Sequence, residues 1–221
     1  MVTWNKLALI ERFSDVLFPI QPAELLQALP QLGWIVAKEV FEEGLPPGKE
    51  TATKKEPATK GDLYLRLNTD NKTLGVEGRK LTPDKVLEGF QALKEFCVEN
   101  LDPSPEMKTH YTEITGDGWV RAKKDPLKTI QSSWKGSSLI ERASKVLGMD
   151  ATNFGATLVP AGAHPDAANW WHLRIEPQVP SSSTRYHISV VWRNEAPDET
   201  FKMMRKLDDT INRLVSEIER G

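Results

Sequence analysis

His172, Glu176 and His187 are the side chains of this sequence best equipped for chemistry. Imidazole exchanges a proton near neutral pH and ligates metals, and a carboxylate beside it can orient the ring. A metal site needs at least three converging ligands, and here His172 and His187 fall diagonally across a hairpin. His110 and His164 lie in separate segments, and no His-x-His, Cys-x-x-Cys or His-Glu-x-x-His spacing occurs. No metal or other cofactor is expected. Nucleophilic catalysis has no motif either: Gly-x-Ser-x-Gly is absent, and Ser181-Ser182-Ser183 between Pro180 and Thr184 reads as a hairpin tip. Neither Gly-x-Gly-x-x-Gly nor a Gly-Lys-Ser/Thr loop is present to cradle phosphate, and Gly116-Asp117-Gly118 reads as a turn. Glu42-Glu43 and Asp208-Asp209 read as solvated acids. No catalytic residue is assigned.

The elements that hold these residues follow from periodicity. In Trp170–Glu176, Trp171, Leu173 and Ile175 share one face, and on the return strand Ile188, Val190 and Trp192 do the same. Pairing Trp171 with Trp192, Leu173 with Val190 and Ile175 with Ile188 buries all six, and a one-residue slip would expose them. The opposite face then carries Trp170 across from Arg193, His172 across from Val191, Arg174 across from Ser189, and Glu176 across from His187. Leu63, Leu65 and Leu67 alternate with Tyr64, Arg66 and Asn68; Leu74 and Val76 continue the buried side beyond the turn Thr69–Lys72, with Glu77 on the outer side. Gly33–Phe41 reads as a further strand. Thr109–Ile114 and Trp119–Ala122 around Thr115–Gly118 read as an extra hairpin. Pro83-Asp84 and Pro197-Asp198 open the closing helices, where proline suits the first position and the acid meets the positive end of the dipole. Both carry one apolar stripe, Val86 to Cys97 and Phe201 to Ile218. Leu7, Ile10, Phe13 and Leu17 are spaced for a helix over Trp4–Leu17, and Ala23–Leu29 reads as a short second one.

The order of these blocks suggests an internal duplication. Leu9–Leu17 and Leu139–Leu147 share Leu, Ile, Glu, Arg, Ser, Val and Leu in register, each run starting five residues after a tryptophan, Trp4 or Trp134. Leu63–Leu67 aligns with Trp171–Ile175, and Arg79 with Pro83-Asp84 aligns with Arg193 and Pro197-Asp198. The expected fold class is α+β, an internally duplicated α-β-β-β-α unit with antiparallel sheet and helices packed on one face. Residues 1–103 form the first unit, 104–131 a connecting hairpin, and 132–221 the second. Residues 44–61 of the first unit, rich in Pro, Gly, Thr, Lys and Glu, read as a flexible surface insertion.

Bulk properties narrow the function. The 221 residues carry a formal net charge of −2, so no overall basic field draws the chain to nucleic acid or anionic lipid. A lone cysteine, Cys97, makes no intrachain disulfide and sits in an apolar helical stripe as a buried, inert thiol. The N-terminus lacks a signal-peptide pattern and no apolar run approaches membrane-spanning length, so a cytoplasmic protein off the membrane is expected.

The candidate binding surface is the outer sheet face: Tyr64, Arg66, Trp170, His172, Arg174, Glu176, His187 and Arg193. A tryptophan pointing away from the core is a common interface anchor. The expected function is a non-enzymatic interaction or assembly protein that uses this face for a protein partner or for itself, as a homodimer. The alternatives are single-stranded nucleic acid stacked on the same face, or an enzyme whose site the sequence hides. Two α/β halves with helices on one side resemble the general plan of the TATA-binding protein, and the helix–sheet–helix plan is also similar in shape to small secretion chaperones. The first resemblance implies nucleic-acid binding, yet none of that family's sequence motifs occurs, and Glu77 and Glu176 offset the arginines.

Overall fold

A computed structural model describes residues 1–14, 17–37, 57–101, 107–133 and 137–220. Within them lie nine strands: β1 (Val2–Phe13), β2 (Ile35–Val36), β3 (Ala58–Lys60), β4 (Leu63–Asn68), β5 (Thr73–Gly78), β6 (Thr109–Arg121), β7 (Ala156–Leu158), β8 (Trp170–Pro177) and β9 (Arg185–Asn194). Five α-helices accompany them: α1 (Pro22–Ala28), α2 (Pro83–Asn100), α3 (Pro126–Ser133), α4 (Ser138–Leu147) and α5 (Pro197–Arg220). The strands form one antiparallel sheet in the order β2-β3-β4-β5-β1-β6-β9-β8-β7. The fold is α+β, with helices packed on one face of the sheet. Among the described residues no helix is long and apolar enough to cross a membrane.

The covered face is built by alternation. Leu7 and Leu9 of β1, Ile114 of β6, Ile188 and Val190 of β9, and Leu65 and Val76 of β4 and β5 are all buried, and they form one cluster with Phe90, Leu93, Met204 and Leu207 of α2 and α5. The β8–β9 register is the one that alternation predicts, Trp171 on Trp192, Leu173 on Val190 and Ile175 on Ile188. Trp171 and Trp192 stack 6.0 Å apart against the core. Both closing helices start at the proline the sequence marks. Cys97 is buried, and its thiol is pushed up to about 12 by burial and by the charge of Glu11.

Three expectations need correction. Residues 2–13 are a strand and not a helix, because the stretch supports two periods and the sheet selects the shorter one. Leu7, Leu9 and Phe13 turn inward together, while Leu17, which the helical spacing would bury, is exposed. Glu11 also turns inward, where Lys94 Nζ meets it at 2.8 Å and the Thr109 hydroxyl donates to it. Second, Thr109–Arg121 is one unbroken strand, not a hairpin, and it pairs along its length with β1 and β9. Gly116 and Gly118 make room instead of a turn. A Cβ on Gly116 would lie 2.7 Å from Cζ3 of the Trp4 indole and 2.9 Å from Val190 Cγ1. Third, the insertion ends in a strand: Ala58–Lys60 is β3, with Ala58 buried. Residues 44–56 of that insertion, and 38–41 of the strand expected over 33–41, lie outside the described residues.

The two matched blocks of sequence occupy matching rungs. Leu63 faces Gly78 as Trp171 faces Trp192, and Leu65 faces Val76 as Leu173 faces Val190. The helices that follow bury Val86, Phe90, Leu93 and Cys97 in α2, and Thr200, Met204, Leu207 and Ile211 at the same spacing in α5. Inside the edge strand β2 the sheet reads inward as β3-β4-β5-β1, and from the other edge as β7-β8-β9-β6. The third match does not follow this plan. Leu9–Phe13 belongs to a central strand, whereas Leu139–Leu147 is α4, a helix with no buried residue.

Trp4 also ties sheet to helix, its indole Nε1 donating to Asp208 Oδ1 at 2.8 Å. Burial pushes the Asp208 carboxyl above its usual range, and the Trp4 bond only partly opposes this. A carboxyl raised in the folded state contributes stability that is full below its unfolded value and lost as pH climbs through the folded one. Asp208→Asn keeps an acceptor for Trp4 and removes that loss. Urea unfolding at about pH 3.5 and about pH 7 should show the variant's stability tilted toward the higher pH relative to the parent; an identical pH response contradicts the assignment.

Candidate binding face

The face of the sheet opposite the helices carries the candidate residues, and the registers arrange them in rows. One row runs Arg66, Gly75, Ile10, Glu113, Arg193, Trp170; the next runs Tyr64, Glu77, Ala8, Thr115, Val191, His172. A third runs Lys6, Asp117, Ser189, Arg174, and a fourth Thr3, Trp119, His187, Glu176. Tyr64 and Arg66 lie toward one end of these rows, and Trp170, His172, Arg174 and Glu176 toward the other. All eight residues expected from sequence therefore share one face of one continuous sheet.

Two clusters organise it. At the first, Arg193 Nε donates to Glu113 Oε2 at 2.8 Å and its Nη1 to the Pro165 carbonyl at 3.1 Å. The guanidinium carbon lies 5.0 Å from the Tyr111 ring centre and 5.5 Å from that of Trp170, whose ring tilts against His172. Burial pushes the Glu113 carboxyl up, and Arg193 beside it pulls only part of the way back. At the second, His187 sits between two acids: Nε2 is 2.6 Å from Asp117 Oδ2 and Nδ1 is 3.2 Å from Glu176 Oε1. Arg174 Nη2 closes on the same Glu176 oxygen at 3.2 Å. Partial burial works to raise Asp117, but hydrogen bonds from Asn5 and His187, with the charges of His187 and Lys6, outweigh it and hold the carboxyl below its usual value.

Elsewhere arginine lies over aromatic rings. Arg185 is 4.0 Å from the Trp119 ring centre and Arg79 is 3.8 Å from that of Tyr64. Glu77 is buried against Arg79 at 3.2 Å and Arg66 at 3.6 Å. Stacked guanidinium planes keep their N–H edges available to acceptors while covering the ring. Between the clusters, at the centre of the sheet, a shallow depression of about 210 Å³ is lined by Lys6, Ala8, Glu77, Thr115, Asp117 and Ser189. A larger open groove of about 770 Å³ lies on the other side of the molecule, walled by Gln91, Glu95, Val98 and Phe201 on α2 and α5. Its walls come from two helices and include Lys94, Glu99 and Asp198, none of them among the residues expected from sequence, so the sheet face is carried forward as the candidate.

Both ring nitrogens of His187 lie against carboxylates. The two acids sit on opposite sides of the ring, and among the described residues no group of three or more His, Cys, Asp or Glu side chains could hold a metal ion. Sequence reasoning missed Tyr111, Glu113, Asp117 and Trp119, which complete both clusters. Their signal is the alternation through Thr109–Arg121, with Ile114, Gly116, Gly118 and Val120 facing the core. The two glycines, read as a turn, concealed it.

No protein-family model matches this chain, and no curated protein does. Among solved structures the chain is similar to one titled Methanococcus jannaschii TBP, at 12% identity over 96% of this chain and 98% of that one, with a TM-score of 0.30. At that score the similarity carries no argument about function.

Proposed function

We propose that this protein is a non-enzymatic interaction module that binds a partner carrying an acidic surface through the helix-free face of its sheet. The observation that carries the reading is the imbalance of charge on that face. Lys6, Arg12, Arg66, Arg174, Arg185 and Arg193 outnumber Glu77, Glu113, Asp117 and Glu176, although the chain as a whole is net negative. Arg12 and Arg185 lie over aromatic rings, and Arg12 adds its charge beside Glu113. Support for two halves of common origin comes from the matching rungs of β4–β5 and β8–β9; a duplicated unit of this kind leaves a broad continuous face for binding.

Poly-glutamate is a suitable probe. Arg12→Ala together with Arg185→Ala should weaken its binding about tenfold or more at low salt, by fluorescence titration, without lowering Tm. Equal binding by parent and variant would remove the face from consideration. A second reading, single-stranded nucleic acid, is favoured by the arginine–aromatic pairs, since bases stack on both partners. It requires an oligothymidylate to bind more tightly than poly-glutamate of equal charge and to release with rising salt.

A further inference from the structure

The groove between α2 and α5 combines an apolar floor with a rim of carboxylates. On α2, Lys94, Glu95, Val98 and Glu99 fall within one arc of the helix, and Asp198 and Phe201 of α5 line the groove with them. Val98 is 54% exposed, and Phe201, seated on Phe90 with ring centres 6.0 Å apart, supplies the rest of the floor. Three of the four charged side chains that line the groove are acids. The single cation, Lys94, reaches inward, its Nζ 2.8 Å from Oε1 of the buried Glu11. Lys202, one turn further along α5, pairs with Glu199 at 2.7 Å.

The two acids of α2 are placed where the isolated chain gains nothing from them. Glu95 and Glu99 stand four residues apart on the exposed side of a helix, a spacing at which like charges repel. They also lie toward the C-terminal end of α2, where the unpaired carbonyls are already negative, and the last turn holds no basic residue. Both placements become favourable when a cation settles on them. A small metal ion does not answer the description, because among the described residues no three acidic, histidine or cysteine side chains could hold one. Carboxylates spread along both walls match cationic side chains spaced along a chain. The apolar floor between them matches an apolar side chain that lies among those cations. From Gln91 to Glu99 the α2 wall runs about 12 Å, or roughly two helical turns.

We propose that this groove docks a short, basic, amphipathic segment of a partner protein. Its apolar side chains rest on Val98 and Phe201, and its lysines or arginines face Glu95, Glu99 and Asp198. The groove lies on the helix side of the molecule, away from the basic sheet face, so the two surfaces select opposite charges and either reading can fail alone.

A labelled lysine–leucine amphipathic peptide about eleven residues long is the probe, followed by fluorescence anisotropy with the full chain. Its dissociation constant should be on the order of 50 µM at low salt and should rise as salt is added. An all-lysine peptide of equal charge should bind about tenfold more weakly, for want of the apolar contact. Glu95→Gln with Glu99→Gln should weaken the amphipathic peptide at least about fivefold without altering the circular dichroism spectrum. Glu141→Gln with Asp150→Asn removes the same charge from exposed positions elsewhere and should leave binding within about twofold. No binding at millimolar peptide overturns the proposal, as does equal weakening by the two double variants or equal affinity for the all-lysine peptide. Self-association of the parent that is abolished alike by the α2 variant and by Arg12→Ala with Arg185→Ala overturns it too, assigning the groove to the sheet face of a second copy. Phosphatidylcholine vesicles that displace the peptide would assign the groove to lipid and overturn it as well.

Discussion

Leu9→Ala is expected to cost about 3 kcal/mol of folding stability, whereas Leu139→Ala should change it by less than about 0.5 kcal/mol. The two leucines open nearly identical runs, Leu-Ile-Glu-Arg-x-Ser-x-Val-Leu. Any account resting on local sequence gives them the same role. Leu9 instead lies at 0% exposure in the central strand, paired with Val76 on one side and Ile114 on the other, under the helices. Truncating it leaves a cavity that neighbours fixed in two ladders cannot collapse to fill. Leu139 stands on α4, where truncation removes apolar surface already in water, and helix propensity favours alanine slightly. Urea denaturation of both variants measures the contrast. Equal losses would contradict the placement of β1.

Trp4→Ala should be costlier still, about 3–5 kcal/mol, because the indole is buried and its Nε1–H is bonded to Asp208. The informative experiment is a double-mutant cycle with Gly116→Ala. In the parent the new methyl would meet Trp4 Cζ3 at 2.7 Å and Val190 Cγ1 at 2.9 Å, both tighter than side chains tolerate, at a cost of about 1–3 kcal/mol. Once Trp4→Ala has removed the closest of these contacts, Val190 Cγ1 still crowds the new methyl, so Gly116→Ala should cost less than in the parent without becoming neutral. The expected coupling is about 1–2 kcal/mol. Were Gly116 required for the backbone of a turn, its replacement would cost the same in both backgrounds.

How much of this was legible in the sequence depended on how locally each element is determined. The β8–β9 hairpin could be read with its register because both strands alternate strictly and a short loop joins them; Trp171, Leu173 and Ile175 have one arrangement that buries them all. The closing helices announce themselves with Pro83-Asp84 and Pro197-Asp198. The centre of the sheet was not legible. Leu7, Ile10, Phe13 and Leu17 satisfy a helical period while Leu7, Leu9 and Phe13 satisfy a strand's, and the choice is made by β6, about a hundred residues away. The β6 strand was itself obscured by glycines whose purpose is to admit Trp4. For the same reason the eight expected face residues came from hairpins alone. The acids that hold Arg193 and His187 in place, Glu113 and Asp117, belong to the strand that was misread.

On the sheet face, two clusters of paired side chains flank the centre. Arg193, Trp170, Tyr111 and Glu113 contact one another, as do Asp117, His187, Glu176 and Arg174, so under the proposed reading a partner would meet side chains already held by their neighbours. Ordering before contact lowers the entropic cost of binding. The indole N–H signals in a nuclear magnetic resonance titration with poly-glutamate report on this most directly, because the tryptophans among the described residues divide between the two faces. The signals of Trp119 and Trp170 should move together and saturate, while those of Trp4, Trp34, Trp171 and Trp192, turned to the core, should stay in place. Shifts confined to the core-facing indoles, or none at millimolar probe, would contradict the assignment of the helix-free face as the binding surface.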